Sequence, residues 1–201
     1  MAQGTVFSVN AVGYVNTTVG PKFSLISNPL TATDNTVNTL FKTGIQGAIP
    51  NGFQVYKLLP TGFSTATYDD LDGNFGPASA ASQTVKPGEG VFVRNPTTSP
   101  ITITFVGEVP QGTLTTTYPK GLSILSSQVP QSGTAQALGF VGVNGDQIFQ
   151  YNNATQQYAT STFDDLDNAW KPALGTLAVG ESFFLRAATG GTWTRTFGVN
   201  Q

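Results

Sequence analysis

The sequence predicts a mainly β protein of two homologous tandem domains, each a β-sandwich or partly open barrel with one short helix. Three observations predict this fold. The motif Asp-Asp-Leu-Asp occurs at residues 69–72 and again at 164–167. Short runs of alternating apolar and polar residues, separated by turn residues, fill most of the chain, and this is the pattern of strands. Long stretches with helical periodicity are missing from the sequence.

The repetition extends well beyond the acidic motif. Four further blocks recur in the same order: residues 22–27 with 121–126, 36–41 with 135–140, 87–94 with 179–186, and 101–105 with 193–197. Conserved order with a changing offset indicates one ancestral unit that was duplicated and whose loops later changed length. A chain of 201 residues then divides into two domains of ordinary size, which we predict at residues 1–109 and 110–201.

The strands of the first unit can be predicted in chain order from their period of two. Residues 5–19 are predicted to form one or two strands with a turn at Gly13, and the strands that follow are residues 23–27, 53–58, 63–68, 91–94 and 101–105. The strand of residues 23–27 ends at Asn28-Pro29, since proline restricts the residue before it and cannot donate to a sheet. Asp34 or Asn35 is a good N-cap for a short helix that ends at Phe41. In the second unit, residues 147–151 and 158–163 repeat the central hairpin.

Composition excludes several classes of function. Charged residues make up 10% of the chain, against a typical value of about 25%, and the net charge is −2. We therefore expect neither nucleic acid nor an anionic membrane as a partner, and no apolar run approaches the ~20 residues of a membrane span. Cysteine and histidine are absent, which excludes disulfides, thiolate or histidine metal sites, cysteine nucleophiles and Ser-His-Asp triads. The expectation is a protein that is not an enzyme.

Three motifs carry a resemblance to a known kind of module. They are Phe-Ser-Leu-Ile-Ser-Asn-Pro-Leu at residues 23–30, Gln-Val-Tyr at 54–56, and Lys-Pro-Gly-Glu-Gly-Val-Phe-Val-Arg at 86–94. Their spacing resembles a largely uncharacterised β-rich repeat module of bacterial secreted and cell-surface proteins. The resemblance covers nearly the whole chain twice, although the second copy has Ser-Gln-Val-Pro at 127–130 in place of Asn-Pro-Leu. It implies export and a β-rich role in the extracellular space or at the cell surface, and it implies no catalytic residues. Because residues 1–4 lead straight into the alternating residues 5–9, we expect that a signal peptide has been removed.

The two acidic motifs suggest a calcium site. Carboxylate oxygens are the ligands that Ca²⁺ prefers, and the candidate ligands are Asp69, Asp70, Asp72, Asp164, Asp165 and Asp167. The motifs lack the twelve-residue ligand pattern and the terminal bidentate glutamate of a calcium loop. The alternative is that these aspartates form Asx turns at strand ends. No cofactor other than calcium is suggested by the sequence.

Glu89 and Glu181 are equivalent and precede strands that end in Arg94 and Arg186. We expect each glutamate to form a charge pair with the arginine of its own unit. A glycosidase would need two carboxylates roughly 5–10 Å apart, and duplication places these two in different domains. Tyr151, Tyr158, Trp193 and above all Trp170 are candidates for stacking on sugar rings; their alternative role is packing in the core or across strands.

The ends of the chain point to self-assembly. Residues 105–115, which join the two units, resemble residues 7–17, and the chain stops at residue 201 where the equivalent connection would continue. The N-terminal strand of one copy could therefore complete the second unit of another by β-strand addition, giving a head-to-tail polymer. The residues expected at this contact are Val6, Phe7, Val9, Val12, Phe197 and Val199. The alternative is that the N-terminal strand pairs within its own first unit.

The sequence thus predicts a non-catalytic extracellular structural protein that binds copies of itself to form a filament, tube or surface array. Low charge and strands rich in threonine and asparagine favour close packing between copies. The alternative is a carbohydrate- or surface-binding β module.

Overall fold

The computed structural model describes residues 11–199. The first unit contains the strands β1 (Val12–Val19), β2 (Lys22–Ser27), β3 (Gln54–Leu59), β4 (Gly62–Asp69), β5 (Asn74–Gly76), β6 (Gly90–Asn95) and β7 (Ile101–Glu108), and the helices α1 (Val37–Gly44) and α2 (Ala78–Ala81). The second unit contains the strands β8 (Gly112–Tyr118), β9 (Gly121–Ser126), β10 (Gln147–Asn152), β11 (Gln157–Asp164), β12 (Ala169–Lys171), β13 (Ser182–Ala187) and β14 (Gly191–Phe197).

Both units have the same antiparallel topology. Each has a five-stranded sheet, in the order β2-β6-β3-β4-β5 in the first and β9-β13-β10-β11-β12 in the second, and a two-stranded ribbon, β1–β7 or β8–β14. Each unit buries its own cluster of apolar side chains, to which both its five-stranded sheet and its ribbon contribute. This arrangement confirms the prediction of a mainly β protein with two tandem sandwich-like domains.

The core of the first unit is centred on Phe41, which α1 places between the sheet and the ribbon. Its ring lies 6.2 Å from those of Phe53 and Phe75 and 6.1 Å from that of Phe105, between centroids. Phe41 can reach them because Val37, Leu40, Phe41 and Gly44 share the buried face of α1. Aromatic pairs at such distances add to the stability that burial provides.

The helices differ in detail from the prediction. The N-cap of α1 is Thr36, whose hydroxyl accepts from the Thr39 amide at 3.3 Å, while the Asp34 carboxylate accepts from the Thr36 amide at 2.9 Å. Both helices lie in the first unit; in the described part of the second, residues 135–139 make only turns. These turns end at Gly139, whose φ of 91° is a conformation that glycine adopts readily.

The two units contact each other through a reciprocal set of bonds. The Ser27 amide donates to the Gly180 carbonyl at 2.8 Å, and the Ser126 amide donates to the Gly88 carbonyl at 3.0 Å. Ser27 and Ser126 are equivalent positions of the duplication, as are Gly88 and Gly180. The units are therefore related by an approximate two-fold axis. Leu25, Ile124 and Phe184 form a small apolar cluster at this interface.

One part of this interface is not reciprocal. The outward amides of Phe23 and Leu25 in β2 donate to the side-chain oxygens of Gln156 (3.1 Å) and Asn153 (2.9 Å) in the β10–β11 turn. The equivalent β3–β4 turn holds only Pro60 and Thr61. Within residues 11–199 it makes no such bond to β9.

The ribbons correct the predicted alignment of the last strands. Thr17 pairs with Ile103, and Thr116 pairs with Trp193. Thr17 lies against Gly180 and Thr116 against Gly88, so the two threonines are equivalent. Trp193 is therefore the counterpart of Ile103, and the sequence alignment of residues 101–105 with 193–197 was wrong by two residues. A shift of two keeps every side chain on its face of the strand, which is why the pattern did not reveal it.

Candidate functional site

The outer edge of β7 is covered by backbone from its own unit. Thr31 and Glu108 exchange two hydrogen bonds of 2.9 Å, and the Gln46 amide donates to the Thr102 carbonyl at 2.9 Å. The even-numbered residues of β7 therefore turn their peptide groups away from β1, towards these segments. Coverage of this kind is how proteins prevent unwanted pairing at a sheet edge.

The equivalent edge of β14 is not covered. Within residues 11–199, β8 is the only strand that pairs with β14, and no other described backbone group bonds to its outer edge. By the register of the two ribbons, the peptide groups of Thr192, Thr194 and Thr196 point outward, and all three residues are exposed. Among residues 11–199, the second unit thus has an uncovered strand edge at the place where the first unit has a covered one.

The residues predicted for self-assembly fall into three groups. Phe197 is the last residue of β14 and pairs with Gly112, and exposed Val199 follows it. Val12 is the exposed first residue of β1 and lies opposite Glu108. Val6, Phe7 and Val9 lie outside the described residues. Residues 12–19 pair along their whole length with β7, so this part of the N-terminal strand pairs within its own unit, as the alternative predicted.

The acidic motifs form matching turns. The Asp69 carboxylate accepts from the Leu71 amide at 2.9 Å, and the Asp164 carboxylate accepts from the Leu166 amide at 3.0 Å. These are the bonds of Asx turns. Asp70, Asp72 and Asp165 are exposed, and no group of three acidic side chains within residues 11–199 converges on one point that could hold a metal.

In the second motif a lysine joins two of the carboxylates. Lys171 bonds to Asp164 at 2.9 Å and also to Asp167. The bonds from Lys171 and from the Leu166 amide hold the pKa of Asp164 below its ordinary value, and the two carboxylates raise the pKa of Lys171. Lys171 and Asp167 are exposed and Asp164 is partly exposed, and surface pairs of this kind contribute little to stability.

The predicted pairing of each glutamate with an arginine was wrong. The Glu89 carboxylate accepts from the Lys57 ammonium at 2.8 Å and from the Lys86 amide at 2.9 Å. Arg94 instead donates to Gln54 at 3.4 Å, and Arg186 donates to Gln147 at 3.2 Å. The lysine lies on β3, next to β6 in the sheet, and the strand order that makes them neighbours is not visible in local sequence.

A cleft of about 620 Å³ lies in the second unit and was not predicted. Its lining includes Gln150, Tyr151, Asn152, Thr176 and Glu181. The Gln150 amide is held by the backbone of Gly175, from whose N–H it accepts at 2.7 Å and to whose carbonyl it donates at 2.9 Å. In sequence, the only sign of this cleft is a glutamine at the position that is Lys57 in the first unit.

The predicted exposure of Trp170 was also wrong. Trp170 lies in β12 with 5% of its surface exposed, and its ring is 5.3 Å from Phe163 and 6.2 Å from Phe140. Trp193 is buried as well, whereas Tyr158 is half exposed and Tyr151 lines the cleft. A buried indole cannot stack on a sugar, so Trp170 is not part of a glycan site.

Comparisons with known protein families, with curated proteins and with solved structures find no match for this chain. Among the helices within residues 11–199, none has the length and apolar character needed to span a membrane.

The raised pKa values of three tyrosines predict that the protein loses stability at alkaline pH. Burial raises the pKa of Tyr118, Tyr151 and Tyr158 above the ordinary value of 10.0; the charge of Asp146 adds to this effect for Tyr118, and Tyr158 adds to it for Tyr151. A pKa raised by folding stabilises the fold fully below the unfolded value, and this contribution is lost as the pH rises through the folded pKa. The urea concentration at the unfolding midpoint should therefore fall as the pH rises above 10, over the same pH range in which tyrosinate absorbance increases. A midpoint that stays constant while tyrosinate forms would contradict this prediction.

Proposed function

We propose that this chain is a non-catalytic structural protein of the cell surface or extracellular space, whose copies join head to tail by β-strand addition. The observation that carries the proposal is the free outer edge of β14, because the equivalent edge of β7 is covered by Thr31 and Gln46. An unpaired row of backbone groups is a template for another strand. Within residues 11–199, β14 lacks the covering backbone that its counterpart β7 has, so each copy offers this particular edge once.

The donor in this proposal is the N-terminal segment of the next copy. Residues 5–9 read Thr-Val-Phe-Ser-Val, and this alternation suits a strand with one apolar face. Donor and acceptor lie at different places in the chain, so the contact is heterologous. Such a contact produces an open polymer when its rotation does not close into a ring.

The surface chemistry supports this mode of association. Only 10% of residues are charged and the net charge is −2, so repulsion between neighbouring copies is small. Tyr14 and Val106 lie opposite each other on the solvent face of the β1–β7 ribbon and are 73% and 58% exposed. They add an apolar contact surface next to the start of β1.

A carbohydrate-binding module is the second candidate, and the cleft of the second unit favours it. Its lining includes the amide side chains of Gln150, Asn152 and Asn153. A small number of polar groups in a cleft is typical of small-ligand sites. Saturable glycan binding by a stable monomer would favour this alternative over assembly.

The test of assembly compares two proline substitutions, one on each strand of the second ribbon. The backbone N–H groups that they remove point away from each other. Thr194 and Thr115 are cross-strand partners in the second ribbon, both are exposed, and both turn their amides outward by the ribbon register. Proline is tolerated on an edge strand when its missing N–H would have faced solvent. Thr194→Pro removes a donor from the free edge of β14, whereas Thr115→Pro makes the same change on β8 and serves as the matched control.

Negative-stain electron microscopy and light scattering provide the measurement. The unmodified protein and Thr115→Pro should form ordered fibres, tubes or arrays, while Thr194→Pro and a variant lacking residues 1–10 should remain near 21.1 kDa. If the unmodified protein stays monomeric with and without calcium, the structural role is wrong. If Thr194→Pro assembles as well as the control, the acceptor is not β14.

A further inference from the structure

Because the chain is duplicated, its first unit shows what occupies each position of the second. In the first unit the Lys57 ammonium lies between the Glu89 carboxylate, at 2.8 Å, and the Thr84 carbonyl. The Lys57 side chain is only 13% exposed. An ammonium that is largely removed from water needs such partners, since its desolvation is otherwise unfavourable. The pair of oxygens therefore forms a site for a cationic nitrogen.

The second unit keeps both oxygens and lacks the lysine. Glu181 corresponds to Glu89, and Thr176 corresponds to Thr84. Glu181 accepts from the Ala178 amide at 2.8 Å, just as Glu89 accepts from the Lys86 amide at 2.9 Å. The two carboxylates therefore sit in matching turns. Glu181 and Thr176 both line the cleft of about 620 Å³.

The residue that replaces the lysine does not fill its place. Gln54 and Gln147 hold Arg94 and Arg186 in the same way, which fixes the alignment of β3 with β10 and places Gln150 at the position of Lys57. The Gln150 amide is turned to Gly175, with bonds of 2.7 and 2.9 Å. Among the described residues, no lysine or arginine forms an ion pair with Glu181.

We propose that the cleft of the second unit binds a primary ammonium group, whose nitrogen takes the place that the Lys57 ammonium has in the first unit. The Glu181 carboxylate and the Thr176 carbonyl are the acceptors. A compact ammonium with three donors fits this pair of oxygens, whereas a planar guanidinium is suited to two parallel bonds to a carboxylate. Ala159, Pro172 and Ala173 line the cleft and supply apolar surface for the carbon chain or ring that carries the nitrogen.

The probe for this site is 1-aminobutane, with 1-butanol as its uncharged control. Titrated into the ¹⁵N-labelled protein, the amine should cause saturable shifts of amide resonances in residues 175–181, and the alcohol should not. Glu181→Gln should weaken binding at least about five-fold, the value of an ion pair of ~1 kcal/mol. Asp165→Asn removes one negative charge from an exposed position of the same unit and should leave the affinity unchanged.

A second variant tests the site without removing any of its acceptors. Gln150→Lys restores the lysine of the first unit, so its own ammonium should occupy the acceptors and abolish amine binding while the fold is kept. The proposal would be overturned if this variant bound the amine as tightly as the unmodified protein does. It would also be overturned if the unmodified protein showed no saturable shifts.

The source of the ammonium is distinguished by sedimentation. If the ligand is a free amine or amino sugar, Glu181→Gln should leave the association state unchanged. If the ammonium belongs to a lysine side chain of a second copy, Glu181→Gln should shift the protein towards the monomer, and so should added 1-aminobutane. Either result is compatible with the ammonium site, and both are independent of strand addition at β14.

Discussion

Replacing Trp193 with alanine is expected to lower the free energy of unfolding by about 3–5 kcal/mol, the usual cost of removing a buried aromatic side chain. Trp193 is 2% exposed and is among the largest fully buried side chains. Its ring lies 5.5 Å from Phe140, nearly edge-on, and 6.3 Å from Phe183. The alanine variant loses this apolar contact and leaves a cavity between the β8–β14 ribbon and the five-stranded sheet.

Urea unfolding measures this effect, and Trp193→Phe separates packing from polarity. The indole N–H of Trp193 has no hydrogen-bond partner in the described part of the chain, and an unpaired buried donor is unfavourable. Phenylalanine removes that donor and most of the cavity, so its cost should be about 1–2 kcal/mol. Tyr14→Ala, at a residue 73% exposed, should change stability by at most about 0.5 kcal/mol. Equal losses for Trp193→Ala and Tyr14→Ala would contradict the assigned core.

Replacing Gly90 with valine is expected to destabilise the contact between the units by about 3 kcal/mol, as overpacking of a close-packed interior does. A Cβ on Gly90 would lie 2.4 Å from Ile124 Cγ2 and 2.5 Å from Ser182 Cβ. Distances this short require the two units to move apart. The reciprocal bonds of Ser27 and Ser126 would then lengthen.

The control uses the two-fold relation, because Ser182 is the counterpart of Gly90 and lies against it. Gly90→Ser alone should lower the urea midpoint, whereas Gly90→Ser combined with Ser182→Gly exchanges the two residues across the axis and should recover most of the loss. Gly76→Val places its side chain where no heavy atom lies within 4 Å and controls for loss of a glycine. A double variant no more stable than Gly90→Ser would show that the residues do not face each other as described.

The sequence predicted those features that depend on local pattern. The strands and the central hairpins follow from alternation and turn residues, and the Asx turns at Asp69 and Asp164 follow from side chains that bond within two residues. The second helix, α2, was missed because four residues are too few to show a helical period.

The features that were missed depend on which strands are neighbours. Glu89 pairs with Lys57 because β3 lies beside β6, and nothing in local sequence distinguishes that lysine from Arg94 as a partner. Trp170 is buried because the short strand β12 adds to the edge of the second sheet, where a loop was expected. The cleft beside Glu181 becomes visible only once Gln150 is aligned with Lys57, which requires the sheet order.

The reciprocal bonds between Ser27 and Gly180 and between Ser126 and Gly88 also bear on the ancestry of the chain. In a symmetric pair of separate copies joined through such a surface, each substitution acts at both halves. In one polypeptide the partner is permanently available at any dilution. A single chain also allows a change in one half without the same change in the other. Gly90 facing Ser182, and Gln150 where the first half keeps Lys57, are differences that a symmetric pair cannot acquire, and they show how fusion allows two identical halves to specialise.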